Sequence, residues 1–489
     1  MAPVHALLAR MFWAERKWPE AIASADLALA SDAGNFLALI IRSRCCSALA
    51  RMPEACEANF RAMAIAPHPE FHSQLLFEMN FLRETTPEAL FVEARRWNSM
   101  YAAPLAPRIP PHTNQRDPER RLKVGYVSPD LHQHAIMQFL PPVLERHQRS
   151  DFEVFVYSTG ATSDHCTEQI RTSADHFYST RDPDDLAQRV RADGVDILVD
   201  LAGHTMGPAH LGLALKPAPV QVSWQGVVAS TGLETMDYFL GDAHLPLPAS
   251  DHLMSEAVYR LPRVFCCYRP LADIPWSRSP CLEHGHITFG CFNNPQKITR
   301  DVARLWSAIL HLAPHSRLLL KYSNLDQPAV QEHLRDWFRE DGIADGRVMF
   351  EGASPPEEYF SAYARVDVAL DPFPYHGVTI TLDALWMGVP VVTLAGRLPV
   401  QRTGVSILSA AGFPGLVAGT AEEYLKLALQ VAQVARESPG LRAAIHQALR
   451  GSSLMDEAGL VRSLEVAYRD MWRGWVDKKK AESRSLPPE

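Results

Sequence analysis

The sequence predicts an α/β protein with two parallel-sheet lobes, preceded by an all-α segment. Three observations carry this prediction. From residue 121 onward, short apolar strands alternate with helical patterns, as in a parallel sheet covered by helices on both faces. The alternation starts again near Ile287, and about the first hundred residues are helical and contain an internal repeat. At 489 residues the chain can hold two to four domains.

The N-terminal segment, residues 1–101, repeats with a period of 34 residues. Residues 18–21 (WPEA) recur as residues 52–55 (MPEA), and 52 − 18 = 34. This period, with small residues where helices cross, is typical of the tetratricopeptide repeat. About two units are visible, and such a short array buries little surface alone, so we expect it to pack on the part of the chain that follows or to be the stub of a longer array. Chance similarity within an alanine-rich bundle is the alternative.

A proline-rich linker at residues 102–120 leads into the first lobe, residues 121–280. Its strands are predicted at three apolar runs, residues 121–127, 152–157 and 195–200. His134 follows the first of these strands and His204 follows the third. Ligands of open α/β sheets bind beyond the carboxyl ends of strands, so both histidines are candidates for catalysis. Solvated loop histidines are one alternative, and a metal site formed by His134 with Asp130 and His132 is another.

The second lobe, residues 281–440, contains a strand, a loop and a helix that predict an anion site. The strand at residues 366–370 is followed by a loop with two prolines, by Gly377, and by a helix beginning at Thr379. Backbone N–H groups at a helix start attract an anion, and Asp383 one turn later can accept from a sugar hydroxyl.

Lys297 lies past the end of an earlier strand of this lobe. A lysine there and a helix start at Thr379 could hold a diphosphate from two sides. A surface lysine and an ordinary capped turn are the alternatives.

Composition excludes several classes of protein. The net charge of −8 argues against a nucleic-acid partner, and the eight cysteines lack the CxxC spacing of zinc sites, which favours a reduced, cytoplasmic compartment. No apolar run is long enough to span a membrane, and the N-terminus is not a convincing signal peptide. Residues 182–184 (DPD) resemble a metal motif of some sugar transferases but are better explained as a helix cap, so no metal site is predicted.

A series of motifs, in a fixed order along the chain, is specific enough to suggest a family. They are residues 125–130 (GYVSPD), His134, 200–205 (DLAGHT), 215–224 (LKPAPVQVSW), 236–238 (MDY), 292–294 (FNN), 297–298 (KI) and 382–390 (LDALWMGVP). Together they resemble the O-linked N-acetylglucosamine transferase family, glycosyltransferase family 41, which includes the SPINDLY branch. The resemblance covers residues 1 to about 475. It implies a GT-B fold of two Rossmann-like lobes and inverting, metal-independent transfer from a nucleotide sugar to serine or threonine of a protein.

The resemblance also implies roles for residues of the second lobe. Lys297 matches the lysine that holds the donor diphosphate, and Asn294 matches a polar residue near the same phosphates. Thr379, two residues after Gly377, falls at the helix start that receives the diphosphate, and Asp383 matches the acid that binds the ribose hydroxyls.

In the first lobe, His134 matches the active-site histidine of the family, and His204 matches a histidine of bacterial and SPINDLY-like members. We expect His134, His204 and Lys297 to be catalytic, with His134 taking the acceptor proton and His204 holding the acceptor or the sugar. The C-terminal helices, residues 441–475, are expected to pack back on the catalytic lobes. Residues 476–489 are expected to form a flexible tail.

We therefore expect transfer of N-acetylglucosamine from UDP-GlcNAc, with protein acceptors bound through the repeats and no cofactor besides the UDP-sugar donor. Two departures from the family concern the sugar. Val378 and Ile380 stand where many members have histidine and threonine, and Pro356 stands where animal members have lysine near the base. The alternatives are an O-fucosyl- or glucosyltransferase of the same fold, a sugar-nucleotide 2-epimerase, and a repeat scaffold with an inactive transferase domain.

Overall fold

The structure is a computed structural model, which describes residues 1–205, 209–275 and 277–485. These residues form two compact units. One unit combines residues 1–86 with residues 270–452, and the other combines residues 87–269 with the segment that begins at Ser453. Each unit contains one all-parallel β-sheet with helices packed on it. This confirms the predicted fold class, two α/β lobes preceded in the chain by an all-α segment.

The helices of the N-terminal segment have the spacing that the sequence repeat predicts. The third helix begins 34 residues after the first, and the fourth begins 34 residues after the second. The alanines of this segment, Ala21, Ala25, Ala28 and Ala38, are fully buried because small side chains let the helices approach closely. The helices are α1 (Ala2–Ala14), α2 (Trp18–Ser31), α3 (Phe36–Ala48), α4 (Met52–Ile65), α5 (Pro69–Met79) and α6 (Pro87–Trp97).

The helical segment is divided between the two units after Thr86, not at the predicted boundary near residue 101. Helices α1 to α5 belong to the unit of the second sheet, and several of their side chains share its hydrophobic core. In contrast, α6 packs with the first sheet's unit, where the indole of Trp97 is fully buried and Arg95 donates to the carbonyl of Gly232 at 3.1 Å. The helical pattern therefore continues past the point at which the packing partner changes.

The first sheet has the strand order β3-β2-β1-β4-β5-β6-β7. Three of its seven strands were predicted, and the others are only four residues long. Its elements are β1 (Leu122–Ser128), α7 (Leu140–Arg146), β2 (Phe152–Ser158), α8 (His165–Ser173), β3 (His176–Ser179), α9 (Pro183–Ala192), β4 (Ile197–Asp200), α10 (Ala209–Ala214), β5 (Val220–Ser223), β6 (Tyr238–Gly241) and β7 (Ala257–Arg260).

The second sheet has the order β10-β9-β8-β11-β12-β13. Its elements are α11 (Cys281–His284), β8 (Thr288–Cys291), α12 (Arg300–Leu312), β9 (Arg317–Lys321), α13 (Pro328–Glu340), β10 (Val348–Glu351), α14 (Pro356–Ala362), β11 (Val368–Leu370), α15 (Thr379–Trp386), β12 (Val391–Leu394), α16 (Thr403–Ala410), β13 (Val417–Ala418), α17 (Ala421–Glu437) and α18 (Leu441–Arg450). In each sheet the chain adds strands on one side of the first strand, β1 or β8, and then returns to add the remaining strands on its other side. These reversals, between β1 and β4 and between β8 and β11, are where open α/β sheets bind ligands.

The C-terminal helices belong to different units. Helix α18 is tied to the second lobe by Arg442, which donates to the carbonyl of Tyr363 at 2.9 Å. The last helix, α19 (Glu457–Ser485), lies in the core of the first lobe, where Tyr468 and Trp472 are fully buried.

The expected flexible tail, residues 476–489, is helical as far as Ser485, and its last four residues lie outside the described residues. Lysine, alanine, glutamate and arginine, all strong helix formers, extend α19 past Val476. Within the part of the chain that the structure describes, no helix is long and apolar enough to cross a membrane.

Candidate active-site residues in each lobe

Lys297 lies at the reversal point of the second sheet, on the short turn that follows β8. Its ammonium Nζ donates to the backbone carbonyl of His376 at 2.8 Å and lies 3.4 Å from Asn293 Oδ1. It also stands 4.4 Å from the ring centroid of Tyr375. Lys297 is therefore fixed toward the loop after β11 by backbone, amide and aromatic contacts, and it forms no carboxylate ion pair among the described residues.

Burial lowers the pKa of the Lys297 ammonium to about 8, and the nearby Asp371 and Cys291 act in the opposite direction. A lysine that is partly desolvated in this way gains more from an incoming anion than a fully solvated one, because its charge has already lost part of its hydration.

The loop after β11 owes its shape to His376, a loop residue that no sequence pattern singles out. Its side chain is fully buried. The ring donates from Nε2 to the carbonyl of Leu394 at 2.8 Å and accepts at Nδ1 from the N–H of Gly404 at 3.3 Å. Burial lowers the pKa of His376, with Asp371 opposing, so the ring is neutral and its two nitrogens have different roles. The fixed ring fixes the carbonyl that receives Lys297.

Asp371 also stabilises the loop after β11. Its Oδ1 accepts from the N–H of Gly377 at 2.8 Å, and its Oδ2 accepts from the hydroxyl of Thr393 at 2.7 Å. A Cβ added to Gly377 would come within 3.0 Å of Asn293 Oδ1 and Thr381 Oγ1. Glycine is favoured at this position because of close packing, not because of unusual backbone dihedrals, since φ of Gly377 is not positive.

Thr379 is the first residue of α15, as predicted. The residue before it, Val378, has no polar side chain with which to cap the helix, so backbone N–H groups of the first turn are left for another acceptor. The hydroxyl of Thr381 donates back to the carbonyl of Gly377 at 3.2 Å and is not directed at a ligand.

Asp383 lies further along α15 and is buried, with 2% of its surface exposed. Its Oδ2 accepts from the hydroxyl of Tyr359 at 2.9 Å, and the Tyr359 hydroxyl in turn lies 3.1 Å from the hydroxyl of Tyr363. Burial raises the pKa of both tyrosines well above the usual value, so both remain protonated donors. A ribose that reached Asp383 would have to share its carboxylate with Tyr359.

Asn294 was predicted to lie near the phosphates. Its side chain forms hydrogen bonds within its own turn. Its Oδ1 accepts from the N–H of Gln296 at 3.1 Å, and its Nδ2 donates to Gln296 Oε1 at 2.9 Å. Gln296 then donates to the hydroxyl of Ser47 in α3 at 2.7 Å. The helical segment therefore reaches the turn that carries Lys297, a connection that the sequence did not indicate.

His134 and His204 follow β1 and β4, the two strands at the reversal point of the first sheet. The side chain of His134 is exposed, and its Nδ1 accepts from the N–H of Ile136 at 3.4 Å. Because that bond uses Nδ1, the other ring nitrogen is the one that can exchange a proton with a substrate.

His204, in contrast, is only 4% exposed. Its Nε2 donates to the carbonyl of Thr231 at 2.7 Å, and its ring stacks on His210 with centroids 4.3 Å apart and planes inclined by 8°. The indole of Trp97 meets both rings edge-on, at 5.4 and 5.8 Å. Burial lowers the pKa of His210 to about 4 and raises that of the neighbouring Asp200 to about 6. His204 is thus held in a buried, stacked environment inside the lobe.

The aspartate pair of residues 182–184 caps a helix, as predicted. Asp182 Oδ1 accepts from the N–H groups of Asp184 and Asp185 at 2.8 and 2.9 Å, at the start of α9. Within the described ranges, three potential metal ligands come together at residues 164–166. There the carboxylate of Asp164 accepts backbone N–H groups of Cys166 and Gln133, at 2.9 and 2.8 Å, and so also serves to cap a helix.

Comparison with known proteins identifies relatives over most of the chain. The model of the family "Glycosyl transferase family 41" matches residues 107–267 and 277–464. The tomato (Solanum lycopersicum) protein described as a probable UDP-N-acetylglucosamine–peptide N-acetylglucosaminyltransferase SPINDLY is 35% identical over 411 residues, 82% of this chain and 44% of that protein. Its Arabidopsis thaliana counterpart is 34% identical over 407 residues, 81% of this chain and 44% of the relative.

The chain spans less than half the length of these curated relatives. A solved structure of an O-GlcNAc transferase variant from Thermobaculum terrenum superposes with a TM-score of 0.90 at 33% identity, covering 98% of this chain and 92% of that one. The match supports the two Rossmann-like lobes of a GT-B fold with a helical segment before them in the chain. The chain therefore belongs to glycosyltransferase family 41.

Proposed function

We propose that the protein is an inverting, metal-independent O-glycosyltransferase that moves N-acetylglucosamine from UDP-GlcNAc to serine or threonine of other proteins. The observation that carries the proposal is the position of Lys297, held by the His376 carbonyl at the reversal point of the second sheet. The relatives' descriptions name a UDP-N-acetylglucosamine donor and a peptide acceptor.

The leaving nucleoside diphosphate gains negative charge as the bond to the sugar breaks. A metal-free enzyme needs fixed positive groups at that point. A lysine about 4 Å from a phosphate oxygen contributes roughly 4 kcal/mol at an effective dielectric constant near 20, less the part that the bound ground state already gains. Lys297 and the uncapped start of α15 at Thr379 are suited to this role, and the closely packed Gly377 shapes the loop that leads into α15.

The remaining predicted roles depend on this assignment. Asp383, together with Tyr359, is suited to the ribose hydroxyls, and Asn294 supports the turn that carries Lys297. His134 is the proposed general base because its side chain is exposed, whereas the buried His204 is better suited to shaping the acceptor or sugar site. Protein acceptors are proposed to reach the site along the helical segment, and the proposed compartment is the cytoplasm.

Three measurements test this function. Purified protein is first given UDP-GlcNAc, UDP-glucose and GDP-fucose without an acceptor, and hydrolysis of UDP-GlcNAc is expected to be fastest. A second assay follows transfer of the labelled sugar to a protein mixture and the anomeric configuration of the product. In a third, EDTA is expected to leave the rate unchanged. Preference for GDP-fucose would assign the chain to the fucosyltransferase alternative, and absence of turnover with every donor would favour an inactive scaffold.

A further inference from the structure

A cavity of about 560 Å³ lies in the unit formed by residues 1–86 and 270–452, apart from the residues assigned to the donor. It is bounded by loops at the carboxyl ends of β11, β12 and β13, by one face of α12, and by the turn after α5. Its volume is within the range of sites that bind small molecules or short chain segments.

Three charged residues line this cavity, and two of them are arginines. Arg83 Nη1 lies 2.7 Å from Asp301 Oδ2, and Arg304 Nη1 lies 3.6 Å from Asp301 Oδ1. Two guanidinium groups thus share one carboxylate. Both arginine side chains are 64% exposed, and exposed ion pairs of this kind are weak. A second carboxylate could bind here without breaking a strong interaction, and guanidinium groups bind carboxylates well.

The rest of the cavity is mainly apolar. Leu305 and Ala308 on α12 line it together with Phe373, Pro374 and Leu394 from the region of β11 and β12. An occupant is therefore expected to combine an anionic group at the arginine side with an apolar group against these side chains.

The cavity and the donor lysine share a loop. Phe373 and Pro374 precede His376, whose carbonyl accepts from Lys297 and whose ring donates to the carbonyl of Leu394. On the other wall, Arg83 follows shortly after Phe81, which stacks on Tyr375 with ring centroids 4.9 Å apart. An occupant of the cavity would thus be close to the loop that positions the proposed leaving group.

We infer that this cavity binds a segment of the acceptor polypeptide in which an acidic side chain lies beside an apolar one. The acidic side chain pairs with Arg83 and Arg304, and the apolar side chain packs on Leu305 and Phe373. A polypeptide fits better than a free anion because the helical segment contributes Arg83 to the lining, and stacked helical repeats offer extended binding surfaces. The inference rests on the proposed function, since it names the acceptor of that reaction.

The test uses the full chain and a library of serine and threonine peptides in which one flanking position is glutamate, glutamine or lysine. Arg304→Glu is expected to raise the KM for glutamate peptides about tenfold and to lower it for lysine peptides, as a reversed ion pair requires. Donor hydrolysis without acceptor is expected to stay unchanged. The control is Arg61→Glu, because the half-buried Arg61 also pairs with a carboxylate on its own helix, Glu57.

Ala308→Phe fills the cavity without changing any charge, and it is expected to raise the KM of every peptide in the library. Equal KM values for the three peptide types, in the native chain and in Arg304→Glu, would overturn the inference, as would an equal effect of Arg61→Glu. A loss of donor hydrolysis in Arg304→Glu would overturn it too, by indicating a donor or small-anion site. If the native chain turned over no donor, the proposed function would fail, and peptide binding measured by fluorescence anisotropy would still test the cavity.

Discussion

The reversal points of the two sheets hold their polar residues in different ways. In the second lobe the charged group, Lys297, is held through a backbone carbonyl, and the residue that fixes that carbonyl, His376, is completely buried. In the first lobe one histidine, His134, is exposed, and the other, His204, is stacked inside. The comparison indicates that the second sheet presents a positioned ammonium group and the first presents an exposed imidazole. Substitutions at Lys297 test the second lobe, and substitutions at the two histidines test the first.

The largest effect is expected at Lys297. Lys297→Ala should lower kcat for transfer by roughly 100- to 1,000-fold, the usual cost of removing one preorganised group from a developing negative charge. Steady-state kinetics with UDP-GlcNAc measure this, and circular dichroism checks that the fold is retained. Lys426→Ala, at an exposed position of α17, is the control and should have native kinetics. If Lys297→Ala kept most of the native turnover, the lysine would be structural.

Substitutions of the two histidines should have different effects on kcat and on the melting temperature. His134→Asn should lower kcat about 100-fold, within the range for a lost general base, with no change in melting temperature, because the side chain is exposed. His204→Asn should instead lower the melting temperature, because it breaks the stack with His210 and the bond to the Thr231 carbonyl. The opposite pattern, a catalytic loss at His204 with full stability, would reverse the assignment of the two rings.

The strands that could be predicted from the sequence are those with long apolar runs, such as β1 and β2, each seven residues in length. The strands β5, β6 and β7 have four residues each, and β13 has two, so a periodic pattern has little length in which to emerge. The equally short β4 and β11 could be predicted because they lie within longer apolar runs, residues 195–200 and 366–370.

The residue types of the candidate site could be predicted, but their partners could not. Lys297 and Thr379 stand out by their position after strands. His376 does not, because it acts through its backbone carbonyl while its ring is buried, and no sequence pattern marks such a residue.

The particular contacts of the helical segment were equally hidden. Its 34-residue period and its packing on the following part of the chain could be predicted, but its particular contacts could not, because they use ordinary polar residues such as Ser47, Gln296 and Arg83. Removal of the helical segment would therefore disturb the turn that carries Lys297. The point substitutions in the cavity are a sharper test of acceptor binding than a truncation.

The pH dependence of kcat/KM for the donor is a further test of the charge on Lys297. With a pKa of about 8 in the free protein, Lys297 loses its charge as the pH rises through that value. The kcat/KM for the donor, which reports the free enzyme, should therefore fall above about pH 8, by about tenfold per pH unit at the limit. Lys297→Arg should abolish this decline, because arginine stays charged. A flat profile up to about pH 9.5 in the native chain would contradict the low pKa.

The smallest effect on activity is expected at Glu78 in α5, a carboxyl group in the same unit as Lys297 that acts on stability alone. It is fully buried, and its oxygens accept from Ser43, Asn59 and Gln74 at 3.4, 3.2 and 3.1 Å. Burial nevertheless raises its pKa from 4.5 to about 7. The folded state therefore holds a proton that the unfolded state has already released. Unfolding becomes progressively easier as the pH rises from about 5 to about 7, by on the order of 3 kcal/mol in total.

Glu78→Gln removes this group, so the melting temperature of the variant should lose that part of its pH dependence and exceed the native value by a few degrees at about pH 8. Thermal scans between about pH 5 and pH 8.5 measure it. Glu57→Gln, at an exposed position of α4, is the control and should follow the native curve. The decline of kcat/KM near pH 8 should persist in Glu78→Gln, since Lys297 causes it. If the decline disappeared in Glu78→Gln, the activity profile would reflect unfolding of the helical segment and not the charge of the lysine.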